Sequence, residues 1–295
     1  MNKKVKVAAL SIASNTTLVI LKLIAGLISG SVSIISEAIH STMDLLASVI
    51  AFVSVKVSGN PPDKEHPYGH GKFENISGVV EALLIFVAAI WIIYEAIKKI
   101  ITRSPIEEVP IGIVVMTISA VANVFVSRML YKVAKETDSI ALEADALHLK
   151  TDVYTSAGVA VGLSLIWLTG IIFHQVITII DPIVAILVAL LILKESYSLM
   201  MAAFNPLIDT TLPEKEIKLI INSILSCLER GMSYNCLRTR KSGNIRYIDF
   251  HLNMPGNITL LEAHRVCDCI EDKIKTTFTG AEVEIHTEPI EELTD

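Results

Sequence analysis

Two histidine–aspartate pairs carry the first chemical signal in this chain. His40 and Asp44 stand four residues apart in AIHSTMDL, and His148 and Asp152 repeat that spacing in ALHLKTDV. In an α-helix, residues i and i+4 share one face, so each pair projects as a unit. Both pairs lie in apolar stretches, where an ionisable side chain costs at least about 2.5–3.5 kcal/mol on insertion into a bilayer. Two imidazoles and two carboxylates make a tetrahedral N2O2 set suited to Zn2+ at about 2.0–2.2 Å. The carboxylates also cancel the double charge of the ion. The competing reading is that each pair satisfies itself by an intrahelical hydrogen bond, but two pairs in two separate apolar helices favour a shared site.

A zinc hydrolase needs three protein ligands, an open water position and a general base. No HExxH motif occurs, and four ligands close the site, so the pattern points to binding and release and away from an enzyme. Glu37, one turn before His40 on a similar face, could serve as an accessory group or an entrance-lining charge, and reads first as facing a polar cavity near the membrane surface. Glu81 and Asn123 are further polar residues in apolar stretches, read as interhelical hydrogen-bonding groups.

The elements that must position these residues are membrane spans. Of 295 residues, 52% are hydrophobic and 19% charged, against roughly a quarter charged in soluble domains. Six apolar segments approach the ~20 residues needed to cross the hydrocarbon core: about 7–29, 33–57, 77–100, 110–133, 143–169 and 176–203. The first is too long for a signal-peptide core and reads as an uncleaved span. Short connectors at SGSVS and near His174 imply hairpins, whereas SGNPPDKEHPYGHGKFEN is a polar loop stopped by proline and glycine. Lys3, Lys4, Lys6, Lys56, Lys64, Lys72, Arg128, Lys132 and Lys135 outweigh Lys98, Lys99 and Arg103 on the other side, which places both termini in the cytoplasm. The net charge of −6 does not suit nucleic-acid binding.

Composition changes after about Pro206, so the chain divides into a membrane domain, 1–206, and a water-facing domain, 207–295. LPEKEIKLIINSILSCL has helical periodicity, LRTRKSGNIRYIDFHLNM reads as two strands about a turn, TLLEAHRVCDCIEDKIKTTF as a second amphipathic helix and AEVEIHTEP as a last strand. The order αββαβ predicts a small α+β domain with its helices on one face of a sheet. The cysteines, Cys227, Cys236, Cys267 and Cys269, form neither a CxxC pair nor a spaced disulfide framework, which fits a reducing compartment. Cys267 and Cys269, two apart on a helix, do not share a face and read as packing residues.

The motifs SEAIHSTMDLLAS, HPYGHGKFE, EADALHLKTDVYTS and the tail LRTRKSG, IDFHLNM and EIHTEP together resemble the cation diffusion facilitators over nearly the whole chain. The resemblance implies a six-helix transmembrane bundle, a ferredoxin-like cytoplasmic domain and a homodimer that exports divalent metal in exchange for protons. It implies that His40, Asp44, His148 and Asp152 are the transport site, and a histidine at the first of these positions resembles the zinc-preferring branch. It further implies a loop metal site of Asp63, His66 and His70, and an interdomain bridge of Lys72 and Asp209. A cytoplasmic metal site would draw on His251, His264, His286 and Glu288. Here Asn235 stands where some members have a histidine ligand, with Cys236 beside it. A cell (inner) membrane of a prokaryote is the expected location, and no cofactor is expected beyond the metal itself. Two alternatives are a membrane metal sensor signalling through its tail, and an exporter mainly of Cd2+, Co2+, Fe2+ or Mn2+.

Overall fold

The structure, a computed structural model, describes residues 3–29, 32–102, 110–173 and 180–290. It divides into two units, Met1–Phe204 and Asn205–Asp295. Among its described residues the first holds six helices: α1 (Lys3–Ser29), α2 (Val32–Ser58), α3 (Lys72–Thr102), α4 (Pro110–Thr137), α5 (Ile140–Phe173) and α6 (Ile180–Phe204). Among the described residues, four of them contain a window long and apolar enough to cross a membrane. Helices α1, α2, α4 and α5 pack as neighbours, and α3 lies against α6. The α3–α6 approach is close at Gly78, where a Cβ would meet the Ala203 Cβ at 3.0 Å and Ile140 Cγ1 at 3.3 Å.

Several helices outrun the apolar segments read from the sequence, because polar residues extend their first or last turns. Lys72, Glu74 and Asn75 belong to α3 and Lys132 and Lys135 to α4. The α4–α5 connection is only Asp138 and Ser139, with Asp138 at φ 51° reversing the chain. At this end of the bundle Glu74 is buried and gathers three elements. It accepts from Lys4 Nζ at 2.9 Å and Ser58 Oγ at 2.7 Å, and Ser139 Oγ also donates to it. Lys4, counted above among the orienting charges, is therefore an interior ion-pair partner.

The second unit runs from a 3-10 turn (Asn205–Ile208) into α7 (Glu214–Leu225), β1 (Ser233–Ser242), β2 (Ile245–Pro255), α8 (Leu260–Thr277) and β3 (Glu282–Ile290). The strand order is β1-β2-β3 with β1 antiparallel and β3 parallel to the central β2. The parallel pairing follows from α8, which returns the chain across the sheet. Ile248, Phe250, Leu252 and Met254 alternate along β2 and meet Ile220 and Ile224 of α7 with Val266, Ile270 and Ile274 of α8 in one core. The intervening Asp249, His251 and Asn253 thus face away from the helices.

Thr259 caps α8, its hydroxyl accepting from the Glu262 backbone while the Glu262 carboxylate accepts from the Thr259 backbone and hydroxyl. These bonds hold the Glu262 carboxyl below its usual value, the Thr259 hydroxyl being the leading cause. Because the folded value is depressed, the contribution is present above pH ~4.3 and disappears as pH falls through the lowered value. Thr259→Ala should cost about 1 kcal/mol, roughly 4–8 °C in a domain of this size. Thermal melts from pH 7 to pH 3 check both points: Glu262→Gln should flatten the acid limb of the wild-type profile.

The cysteine reading requires correction. Cys227 and Cys269 form a disulfide, with Cα atoms 6.1 Å apart across 42 residues. Cys227 follows α7 and Cys269 lies on α8, so helix packing joins them, a tertiary contact that spacing does not reveal. Cys267 is half-buried and free, its thiol pushed up by burial.

Candidate metal centres

Helices α2 and α5 bring the two paired motifs together. The His148 Nε2–H donates to Asp44 Oδ1 at 3.1 Å, across helices, and both side chains are largely buried. The imidazole thus hydrogen-bonds the carboxylate of the other pair. His148 Nδ1 is buried without a hydrogen-bond partner. Asp152 accepts from Asn123 Nδ2 of α4 at 3.3 Å, so Asn123 is tied to this site and is not merely an interhelical link. The side chains of His40 and Glu37 lie outside the described residues. Of the residues expected to form the transport site, the structure thus joins His148 directly to Asp44, while Asp152 meets Asn123. Among the described residues, the group whose three ligand atoms lie within 4.8 Å of one another is Asp63, His66 and His70.

A second polar layer, which the i, i+4 pairing does not reveal, sits beside these residues. Asp145, one turn before His148, is fully buried and accepts from Ser48 Oγ at 2.9 Å. Ser48 in turn contacts Ser11 at 3.0 Å and accepts from Asn15 at 2.8 Å. The i, i+3 spacing of Asp145 and His148 was the available signal. Glu81 of α3 is buried, and neither of its carboxylate oxygens has a hydrogen-bond partner. Its reading as an interhelical hydrogen-bonding group is thus not met. A buried carboxylate without a hydrogen-bond partner is costly, and glutamine has nearly its shape without its charge. Glu81→Gln should leave the thermal midpoint of the detergent-solubilised protein unchanged or higher. A fall of several degrees would show that the carboxylate itself is needed for folding.

The polar loop forms a compact cluster. Asp63 Oδ1 accepts from the backbone N–H of Glu65 at 2.9 Å and of His66 at 2.6 Å. The His66 backbone bond is the leading reason that this carboxyl lies below its ordinary value. His66 Nδ1 and His70 Nε2 each approach the Asp63 carboxylate at 3.3 Å. One ligand atom from each of the three residues lies within 4.8 Å of the others. The turn therefore presents two imidazoles and an ionised carboxylate to a common point.

In the second unit Asn235, His251 and His286 are cross-strand neighbours. His251 Nδ1 lies 3.0 Å from Glu288 Oε1 and His286 Nε2 3.6 Å from the same atom. The two imidazole rings are 4.9 Å apart. His264 does not join them. It projects from α8 on the other side of the sheet, 70% exposed, 3.7 Å from Asp268. Strand alternation, which would turn Cys236 away from Asn235, is interrupted: the register shifts between Asn235 and Arg238, and Cys236 has φ 53°. Asp209 meets Arg240 Nη1 at 3.7 Å within its own unit, and Lys72 opens α3 in the other.

Comparison with known proteins returns two family matches, the cation efflux transmembrane domain over residues 8–208 and the cation efflux protein cytoplasmic domain over residues 212–290. An uncharacterized transporter of Synechocystis sp. is 35% identical over 285 residues, covering 97% of this chain and 90% of that protein. The cation-efflux pump FieF of Shewanella oneidensis is 31% identical over 287 residues, covering 95% and 92% respectively. A solved structure of the transporter CzrB covers 27% of this chain and 99% of its own at 32% identity, with a TM-score of 0.26.

Proposed function

This chain belongs to the cation diffusion facilitator family of divalent-cation efflux transporters, and on that premise we propose that it exchanges Zn2+ for protons at His40, Asp44, His148 and Asp152. The observation that carries the proposal is the His148–Asp44 contact at 3.1 Å, which draws residues of both paired motifs to one point between α2 and α5. Imidazole donors favour zinc over manganese or magnesium. Facing the metal-supplying side, neutral imidazoles and ionised carboxylates capture the ion. Facing the other side, protons compete for the same lone pairs, because metal binding requires deprotonated ligands. Histidine suits this exchange, since its unperturbed pKa of ~6.5 lies close to neutral pH.

The remaining assignments follow the same chemistry. Asp63, His66 and His70 form a loop site that takes metal weakly from solution. His251, His286 and Glu288 form a cytoplasmic site whose occupancy favours a homodimer, with His264 outside the set that one chain assembles. Lys72 and Asp209 act as an interdomain bridge that sets hinge geometry, a surface pair of this kind contributing only ~0–1 kcal/mol. The protein works in a prokaryotic inner membrane with both termini in the cytoplasm.

Purified protein in proteoliposomes under an imposed pH difference tests the exchange. Zinc flux should follow the proton gradient and collapse when the gradient is dissipated. Competition among zinc, cadmium, cobalt, iron and manganese should leave zinc the preferred ion. Metal binding without flux would instead favour a membrane sensor.

A further inference from the structure

The transport reading leaves one chemically distinct cavity unused. A cleft of about 490 Å³ opens between α4, α5 and α6 near the end where α4 turns into α5. Its polar end carries Arg128 and Lys132 of α4, Lys150 of α5 and Glu195 of α6; Val124, Leu147, Val153 and Leu199 provide an apolar wall. Arg128 and Lys132 are one turn apart and so point the same way. Glu143, also in the lining, is matched by Lys135 at 2.6 Å. Three cations thus line the cleft with Glu195, which lies close to Lys150. Lys132 also faces Glu136 outside the lining, a carboxylate already paired with Lys3.

The cleft is separate from the transport site. The α5 residues that line it, including Glu143, Leu147, Lys150 and Tyr154, fall on one side of the helix. Asp145, His148 and Asp152 fall on the opposite side at 3.6 residues per turn. Tyr131 and Tyr154 also line the cleft, with Lys150 Nζ 5.1 Å from the Tyr154 ring centre. Tyrosine is enriched at the membrane–water boundary, and apolar residues beside the cleft, Phe125, Met129 and Leu191, are exposed as lipid-facing residues are.

We propose that this cleft binds one anionic phospholipid, its phosphate on Arg128, Lys132 and Lys150 and an acyl chain along Val124, Leu147, Val153 and Leu199. The cationic end supplies charge complementarity for the headgroup, and basic pockets between transmembrane helices recognise anionic headgroups in this manner. The apolar wall supplies what a free phosphate cannot use. The proposal rests on the family reading of these helices as membrane spans; of the three that form the cleft, α6 contains an apolar window long enough to cross among the described residues.

Native mass spectrometry of the full-length protein in detergent, titrated with phosphatidylglycerol or phosphatidylcholine of matched chains, tests the proposal. Phosphatidylglycerol should bind at least about tenfold more tightly than phosphatidylcholine. Arg128→Gln combined with Lys132→Gln and Lys150→Gln should remove that preference while leaving the thermal midpoint and zinc binding unchanged. Should the triple variant fail to fold, Leu147→Trp, which fills the apolar wall, must by itself weaken phosphatidylglycerol binding by a similar factor. Equal binding of the two lipids, or a preference that survives the substitutions, overturns the proposal. So does displacement by glycerol phosphate at concentrations comparable to the lipid, which would mark a phosphate site only. Loss of the lipid adduct on self-association would instead assign the cleft to a second copy and also overturn it.

Discussion

Replacing His148 with alanine should reduce zinc flux in proteoliposomes by more than about 100-fold, beyond the roughly 10–100-fold typical of losing an outer partner of a metal ligand. The substitution removes one of the proposed nitrogen donors and deprives Asp44 of the N–H it meets at 3.1 Å. The remaining set would be richer in carboxylate, which shifts preference from zinc toward harder cations. Asn123→Ala belongs to the smaller class. It removes the amide that donates to Asp152 at 3.3 Å but leaves every proposed ligand in place, so a 10–100-fold loss is expected. Flux and thermal melting should be measured on the same preparations, so that loss of function is separated from loss of fold. A fully folded His148→Ala protein that transports zinc at the wild-type rate would remove this residue from the transport site.

The second large effect concerns the second unit. Phe250 is 1% exposed at the centre of β2, against residues of both α7 and α8. Phe250→Ala should destabilise residues 205–295 by about 3–5 kcal/mol, the transfer free energy of the ring plus the cavity left behind. In a domain of this size that lowers the melting temperature by roughly 12 °C or more. Urea denaturation of the isolated unit, which has its own core, provides the measurement. A loss below about 1 kcal/mol would mean that the helices collapse onto the space, in contrast to the packing seen.

Much of this architecture could be read from the chain because its signals are local. Apolar length marks a helix that crosses a membrane, period two marks β2, and an i, i+4 pair marks a common helix face. Those rules suffice for His148 and Asp152 on α5 and for the order αββαβ. They do not say which residue meets which across helices. His148 donates across helices to Asp44, and Asn123 of α4 donates to Asp152. The fully buried Asp145 and the Cys227–Cys269 bond are likewise consequences of packing between elements. His264 shows the reverse failure. Its type matches a ligand, yet α8 carries it to the other side of the sheet from His251 and His286.

The three-stranded sheet has one more consequence, which concerns how copies of the domain avoid sticking. Its two edges are β1 and β3, and an unpaired strand edge is a template for adding a strand from another molecule. Both are guarded. β3 carries Glu282, Glu284, Glu288 and Pro289. β1 carries Arg238, Arg240 and Lys241 and is broken by its register shift. Extension of the sheet from chain to chain is therefore disfavoured on both sides. The face bearing His251, His286 and Glu288 stays open to meet another surface without the hazard of runaway strand pairing.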